Sequence, residues 1–256
     1  MTEVTSHAPG AFCGIELGTT DQSAAKEFYA RLFGWSFVDT PMGPSGVYTT
    51  FKLRGHDVAT AYTIDSKQMP GVPPHWMLYV ATADADRAAK RTAELGGTVG
   101  KAAFDVFDIG RMAVLKDPTG AVCCVWQARK HPGMGVHNEP GAFCWGQLNT
   151  TDTAKSEAFY KALFGWTAKT GSGDGMTYTE FTLGGPPIGG MMAMPPGAAA
   201  PSHWLPYFAV EDCDAMAAKA AALGATTYVP PTDVPDAGRF AVFADPQGAA
   251  FAIYVG

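Results

Sequence analysis

The feature that most constrains this chain is a long internal repeat. Residues 9–37 and residues 140–168 are identical at 15 of 29 positions when they are aligned at an offset of 131. Further along, residues 105–121 match residues 233–249 at 11 of 17 positions, at an offset of 128. The matching blocks keep the same order in both halves, and a period this long is not that of a solenoid. The pattern therefore predicts two related domains produced by tandem duplication.

Each half also contains two copies of a smaller unit. In the first half, a strand at residues 12–18 precedes a helix that begins at Asp21 and ends at Gly34, because Asp caps helix starts and glycine caps helix ends. Three short strands follow, and the cycle restarts at Trp76 with a strand, a helix and three more strands. We predict an α+β fold in which each domain is a paired βαβββ module. Two short helices can cover only one face of its eight-stranded curved sheet, so the other face encloses a cavity. The predicted boundaries are residues 1–128 for the first domain, 129–140 for the linker and 141–256 for the second domain.

Charge and hydropathy exclude several classes of partner. The 18 Lys and Arg residues are outnumbered by 24 Asp and Glu residues, for a net charge of −6. With no cluster of basic residues, we expect no nucleic-acid partner. No run of about 20 apolar residues occurs, so we expect no membrane span. Five cysteines without a CxxC pair, and an N-terminus without a signal-peptide pattern, favour a cytoplasmic protein with reduced thiols.

Several motifs together resemble the vicinal oxygen chelate superfamily, which includes glyoxalase I, bleomycin-resistance proteins and extradiol dioxygenases. The motifs, which cover nearly the whole chain twice, are TTD-x6-FY-x2-LFGW, HW-x2-Y, an Ala-rich helix ending in glycine, and GR-x2-V-x2-DP-x-G. The chain is most similar to two-domain actinobacterial proteins of the glyoxalase/bleomycin-resistance type. The resemblance implies a small-molecule ligand and either a monomer or a homodimer. In the enzymes of this family, His, Gln or Glu side chains on the concave face of the sheet hold a divalent metal.

The positions that carry those metal ligands in the family hold other residue types here. Aligned on the helix-opening aspartates and the DPxG turns, the ligand positions of both halves fall on Gly14, Met77, Cys124, Trp145, Leu205 and Ala252. Lewis-acid or oxygen chemistry requires two or three carboxylate or imidazole ligands. We therefore predict no metal at these positions and no cofactor, with a divalent metal as the open alternative.

Strand alternation predicts which side chains line each cavity, because residues two apart on a strand share a face. Since the large Trp145 replaces Gly14 and the neutral Gln147 replaces Glu16, we expect the first cavity to be roomier and more polar. The predicted lining of the first cavity is Phe12, Gly14, Glu16, His75, Met77, Tyr79, Cys124 and Trp126. The predicted lining of the second cavity includes Trp145, Gln147, His203, Tyr207 and Tyr254.

Two hypotheses for the function stay open. In the first, the cavity of domain 1 binds a small aromatic or hydrophobic metabolite or antibiotic without the usual metal ligand set, as bleomycin-resistance relatives do. In the second, Glu16 and His75 serve as displaced metal ligands or as an acid/base pair. The chain would then be a metal-dependent lyase of the glyoxalase type, or a dioxygenase or hydroxylase. A scaffold for partner proteins is a third role, which no feature of the sequence favours.

Overall fold

Two sheets of identical topology make up the protein. The computed structural model describes residues 3–43, 46–173, 176–195, 197–198, 200–235 and 237–256, and the elements below are those of these residues. The first domain contains β1 (Phe12–Thr19), α1 (Gln22–Phe33), β2 (Ser36–Pro41), β3 (Val47–Leu53), β4 (His56–Thr63), β5 (His75–Ala81), α2 (Ala85–Glu94), β6 (Thr98–Val106), β7 (Gly110–Lys116) and β8 (Val122–Ala128). The second domain contains β9 (Phe143–Thr150), α3 (Thr153–Phe164), β10 (Thr167–Gly173), β11 (Met176–Thr182), β12 (Pro187–Ala193), β13 (His203–Ala209), α4 (Cys213–Ala222), β14 (Thr226–Val234), β15 (Gly238–Ala244) and β16 (Ala250–Val255).

Each sheet joins two four-stranded modules at its centre. The strand order is β2-β3-β4-β1-β5-β8-β7-β6 in the first sheet, and the second sheet repeats it. Strand β1 pairs antiparallel with β5 and parallel with β4, so the first strands of the two modules lie side by side. This arrangement confirms the α+β fold and the tandem duplication. No helix in the described part of the chain is long and apolar enough to cross a membrane.

Local sequence explains where the longer helices begin and end. The side chain of Asp21 accepts a hydrogen bond from the backbone N–H of Ala24 at the start of α1. Gly34 ends α1 with a φ of 73°, a left-handed conformation that glycine adopts without steric cost. Asp152 caps the start of α3 and Gly165 caps its end in the same way. These caps fix the connection between each sheet and its helices.

The two domains share one hydrophobic core, which lies between the helix-bearing faces of the two sheets. The ring of Phe12 on β1 meets Phe143 and Trp204 of the second domain, with a centroid distance of 5.6 Å in each case. Ile15 and Leu17 are buried in the same core. Because side chains alternate along a strand, the intervening residues of β1 point away from the other domain. We call this opposite side of each sheet its outer face.

The repeated motifs hold the domains together through buried hydrogen bonds. Tyr29, from the FY motif of the first domain, donates to Asp245 Oδ2 in the DPxG turn of the second domain at 3.0 Å. The Tyr29 hydroxyl also accepts from Trp76 Nε1 of the HW motif at 2.9 Å. In the other half, Trp166 Nε1 of the FGW motif donates to the carbonyl oxygen of Gly10 in the first domain at 2.7 Å. Domain packing, rather than chemistry, therefore accounts for the most obvious repeats in the sequence.

The predicted linker packs against the first domain together with the N-terminal segment. The backbone N–H of Val4 donates to the carbonyl of Gly135 at 2.9 Å. His7 Nε2 lies 2.9 Å from the carbonyl oxygen of Met134, to which it must donate because a carbonyl only accepts. The pKa of His7 is lowered mainly by burial. The charges of His137 and His131 lower it further.

We expect acid to weaken this attachment. The pKa of His7 is lower in the folded chain than its ordinary value near 6.5, so the unfolded chain takes up the proton first and stability falls as the pH drops through about 6.5. Urea denaturation between about pH 7.5 and 5.5 should show a shallower loss of unfolding free energy for His7→Gln than for the original chain. Equal pH dependence in both proteins would contradict the expectation.

Candidate functional site

The outer face of the first sheet carries a carboxylate held between two tyrosines. Glu16 lies near the centre of β1 and is half-buried. Its Oε1 atom accepts a hydrogen bond from Tyr48 Oη of β3 at 2.6 Å, and its Oε2 atom accepts from Tyr79 Oη of β5 at 2.7 Å. In the sheet register Glu16 lies opposite Met77, so Tyr79 is its diagonal neighbour. We call Glu16, Tyr48 and Tyr79 the Glu16 cluster.

The ionisation states in the Glu16 cluster follow from burial. Desolvation raises the pKa of Glu16, while the hydrogen bonds from Tyr48 and Tyr79 and the charge of His75 oppose the rise in part. Burial also raises the pKa values of both tyrosines well above their ordinary range, and the charge of Glu16 adds to the effect. Both hydroxyls therefore stay protonated and donate. The carboxylate is an acceptor whose pKa is displaced toward neutrality, which is typical of functional sites.

His75 stands beside the cluster at the start of β5. Its Nδ1 atom lies 2.8 Å from the carbonyl oxygen of Pro73, so Nδ1 donates, and in the neutral ring Nε2 presents a lone pair. His75 pairs with Gly18 of β1. A Cβ atom on Gly18 would lie 2.9 Å from both His75 Cε1 and Tyr62 Oη, so glycine permits the two rings to close over this strand. In the sheet register His75 thus lies one diagonal step from Glu16.

The other residues predicted for the first cavity mostly share this outer face. Gly14 and Cys124 flank Tyr79 in the sheet register, one on each neighbouring strand. Trp126 lies in a small buried cluster with Cys13, against which Tyr79 packs. The thiol of Cys124 is buried, and burial together with the charge of Glu16 raises its pKa well above the ordinary range. It is therefore a neutral part of the wall.

The placement of Phe12 is a correction to the sequence prediction. The pairing of β1 with β5 shifts in register between Phe12 and Gly14. An irregularity of this kind breaks the two-residue alternation, so residues on its two sides no longer share a face. Phe12 therefore belongs to the core between the domains, and Cys13 belongs to the outer face in its place.

Sequence reasoning did not identify Tyr48, Thr60 or Tyr62. All three come from the β3–β4 hairpin, beside β1 in the sheet. The hydroxyl of Thr60 contributes a hydrogen bond that lowers the pKa of Glu16. One signal was available: Tyr48 recurs as Tyr178 in the repeat, in the segments VYTTF and TYTEF.

The outer face of the second sheet repeats the cluster with an amide in place of the carboxylate. Gln147 Oε1 accepts from Tyr207 Oη at 3.1 Å and from Tyr178 Oη at 3.3 Å. The indole of Trp145, at the position of Gly14, donates from Nε1 to Tyr178 Oη at 2.9 Å. Trp145 also packs against a buried cluster that contains Tyr207. The cluster itself is therefore uncharged, although Glu180 lies near Tyr178 on the same face of β11, and the Trp145 side chain occupies the position of Gly14.

The two remaining residues predicted for the second cavity are engaged with neighbouring protein groups. His203 Nδ1 lies 2.8 Å from the carbonyl oxygen of Pro201, and its Nε2 atom accepts from Asn149 Nδ2 at 3.2 Å. Asn149 stands where the first domain has Gly18, so the imidazole acceptor that is presented in domain 1 is satisfied in domain 2. Tyr254 Oη donates to the carbonyl oxygen of Ala237.

The described residues on the outer face of the first sheet do not supply a three-ligand metal site. Among the residues that the structure describes, no group of three or more His, Cys, Asp or Glu side chains is placed to hold a metal ion. Glu16 and His75 are two suitable donors, and the neutral thiol of Cys124 is not a ligand until it loses its proton. These two donors alone fall short of the three protein ligands that a catalytic metal site usually has.

A separate groove of about 480 Å3 lies between the domains, away from the Glu16 cluster. Its walls include Arg54 and Lys219. Lys219 Nζ donates to the carbonyl oxygen of Leu32, and Arg54 forms an ion pair with Glu139. These charged side chains serve contacts within the protein, so the candidate site is the outer face of the first sheet.

Comparison with known sequences places both halves in related families. The profile of the glyoxalase-like domain matches residues 14–126. The profile of the glyoxalase/bleomycin resistance protein/dioxygenase superfamily matches residues 134–253. The chain is 43% identical to "Putative glyoxylase CFP32" of Mycobacterium tuberculosis, with 99% of this chain and 97% of that protein covered. It is 35% identical to the anthracycline biosynthesis protein DauV of Streptomyces sp. strain C5, with 98% and 94% covered.

Solved structures share the fold at low sequence identity. The Mn(II)-bound glyoxalase from Novosphingobium aromaticivorans is 14% identical with a TM-score of 0.69, and 96% of this chain and 82% of that chain are covered. The 2,3-dioxygenase LapB from Pseudomonas sp. KL28 is 15% identical with a TM-score of 0.65, and 100% and 93% are covered. At this identity the likeness concerns the fold alone.

Proposed function

Because the chain belongs to the glyoxalase/bleomycin resistance protein/dioxygenase superfamily, we propose that its first domain binds a small aromatic metabolite on the outer face, with Glu16 as the polar anchor. The observation that carries this proposal is the half-buried carboxylate held by Tyr48 and Tyr79. Binding sites for small molecules are mostly apolar with a few convergent polar groups. Met112 and Trp126 supply apolar wall beside the cluster.

The cluster retains acceptor capacity for a ligand. An ionised carboxylate has about four lone-pair sites. In the first domain, Tyr48, Tyr79 and Thr60 occupy three of these sites on Glu16, which leaves one. A ligand hydroxyl or N–H can therefore donate to the carboxylate, or to a tyrosine oxygen bonded to it. The relatives named for anthracycline biosynthesis support an aromatic, hydroxyl-bearing ligand class.

A calorimetric titration with 2-naphthol tests the proposal. We expect one site per chain, and an affinity about tenfold weaker in Glu16→Gln, because a hydrogen bond to a charged group contributes about 1.5–3 kcal/mol. Gln147 shows that glutamine fits this position of the fold and accepts from both tyrosines. The matched control is Gln147→Glu, which should leave the affinity unchanged.

The same titration with 2-methoxynaphthalene removes the donor from the probe. We expect this compound to bind the original chain more weakly than 2-naphthol does. The two compounds should bind the Glu16→Gln variant with equal affinity. If 2-naphthol does not bind, or binds equally to the original chain and to Glu16→Gln, the proposal is wrong.

The affinity for 2-naphthol should also depend on pH. Burial raises the pKa of Glu16 above its ordinary value of 4.5, and the ionised form is the better acceptor. Affinity is therefore expected to fall as the pH drops, beginning at a higher pH than an exposed glutamate would give. The Glu16→Gln variant should show no such dependence over about pH 4–8. A flat profile in the original chain would count against Glu16 as the anchor.

A second candidate is a metal-dependent lyase, dioxygenase or hydroxylase that uses Glu16 and His75. The observation that favours it is the diagonal placement of the two side chains, with the His75 Nε2 lone pair presented. Equilibrium dialysis against Mn²⁺, Fe²⁺, Ni²⁺ and Zn²⁺ tests it. This candidate requires about one ion per chain that is lost in both Glu16→Ala and His75→Ala. Retention of the same amount of metal by either variant would exclude the pair as its ligands.

A further inference from the structure

The second domain contains a tryptophan where the first domain has a glycine. Trp145 lies opposite Tyr207 in the sheet register, and Gly14 lies opposite Tyr79. The Trp145 indole reaches Tyr178 Oη, the counterpart of Tyr48, and donates to it at 2.9 Å. The indole therefore belongs to the hydrogen-bonded cluster of its own outer face.

The backbone of the first domain admits a side chain at the corresponding position. A Cβ atom built on Gly14 would meet Tyr79 Cβ at 3.6 Å, an ordinary van der Waals contact. By comparison, a Cβ on Gly18 in the same strand would clash at 2.9 Å. A side chain can therefore start from position 14 beside Tyr79 without a clash, whereas one at position 18 cannot.

We propose that the Trp145 indole marks the ligand position of the first domain, so that the natural ligand is an indole-sized planar aromatic with an N–H or O–H donor that lies over Gly14 and donates to Tyr48 Oη. The inference rests on the proposed function and adds the size of the ligand, its donor and its partner. The second domain is then a copy of the site that its own side chain occupies.

The hydrogen-bond directions agree with this assignment. Tyr48 uses its only proton in the bond to Glu16, so its oxygen can only accept further hydrogen bonds, from Thr60 and from a ligand. In the second domain Tyr178 likewise donates to Gln147 and accepts from Trp145. A ligand with an N–H or O–H group can donate to the Tyr48 oxygen and complete this chain of bonds. A ligand with only an acceptor would place its lone pairs against those of the Tyr48 oxygen. Donation toward a carboxylate also strengthens the chain, since each bond polarises the next.

Indole and benzofuran are matched probes for the test, because they share shape and differ in having N–H or oxygen. Calorimetry on the full chain should give one indole site, with benzofuran at least about fivefold weaker. Tyr48→Phe should abolish this preference, so that indole and benzofuran bind with about equal affinity. The control Tyr178→Phe should keep the preference. Gly14→Trp, which gives the first domain the residue of the second, should abolish binding. Trp145→Gly should raise the number of indole sites from one to two.

The outcomes separate this inference from the proposed function. Equal affinity for indole and benzofuran, or undiminished binding in folded Gly14→Trp, would overturn the inference. The proposed function would survive that result if 2-naphthol still depended on Glu16. A folded Trp145→Gly variant with one indole site would overturn the claim that domain 2 is an occupied copy. If Gly14→Trp does not fold, the Tyr48→Phe and Tyr178→Phe pair decides the matter. Failure of all aromatic probes to bind the original chain would overturn both proposals.

Discussion

Replacing Asp245 with alanine is expected to lower the free energy of unfolding by about 3–5 kcal/mol. Asp245 is 2% exposed at the domain interface. Its Oδ1 atom accepts from the backbone N–H groups of Gln247, Gly248 and Ala249 at 2.8–3.0 Å. Its Oδ2 atom accepts from Tyr29 of the other domain. Removing the carboxylate leaves four donors without their acceptor, and the loss is costly for Tyr29 and Ala249, whose donors are buried.

Urea denaturation measures this effect. Asp108→Ala is the matched control, since Asp108 is 67% exposed and pairs with Lys130 on the surface. An exposed ion pair contributes about 0–1 kcal/mol, so the control should change little. A loss below about 1 kcal/mol for Asp245→Ala would contradict the role of the DPxG turn in joining the domains.

Separating the halves is expected to have an even larger effect. A chain of residues 1–137 should not fold cooperatively as a monomer, because its core side chains are buried against the second domain. Phe33 of α1, for example, meets Phe208 at a centroid distance of 4.9 Å, and Phe12 meets Trp204 at 5.6 Å. Exposing a large apolar side chain costs about 1.5–3 kcal/mol, and several such losses exceed the usual stability of about 5–15 kcal/mol.

Circular dichroism and size-exclusion chromatography of the separated halves provide the measurement. Residues 1–137 should lack a cooperative thermal transition as a monomer, and co-expression with residues 138–256 should restore one stable complex. The cut follows residue 137 because the segment up to Val136 packs on the first domain, with Val136 1% exposed. A monomeric first half that melts near the temperature of the whole chain would show that the shared core is dispensable.

Local sequence was sufficient for much of the fold. The helix predicted to begin at Asp21 and end at Gly34 runs from Gln22 to Phe33, with those two residues as its caps. Capping and alternation depend on neighbours within a few residues, so they are readable without tertiary information. The element against which each face packs cannot be read from the local sequence. Periodicity indicates that α1 has an apolar side, but not that Phe33 on this side packs against the second domain.

The candidate site was predictable in part for the same reason. Glu16 and Tyr79 were identified because they are set by alternation along β1 and β5. Tyr48 was missed because it reaches Glu16 from β3, which is separated from β1 by β4, and such reach depends on the shape of the sheet. Phe12 was misplaced because a register shift of one strand changes which side chains share a face.

The most direct test of the Glu16 site is a crystal structure of the protein grown with 2-naphthol. The account predicts the naphthol ring over Gly14 on the outer face of the first sheet, with its oxygen within hydrogen-bond distance of Glu16 or Tyr48. It predicts no ring on the outer face of the second sheet, where Trp145 already lies. A naphthol bound only in the groove between the domains, or only on the second sheet, would contradict the account.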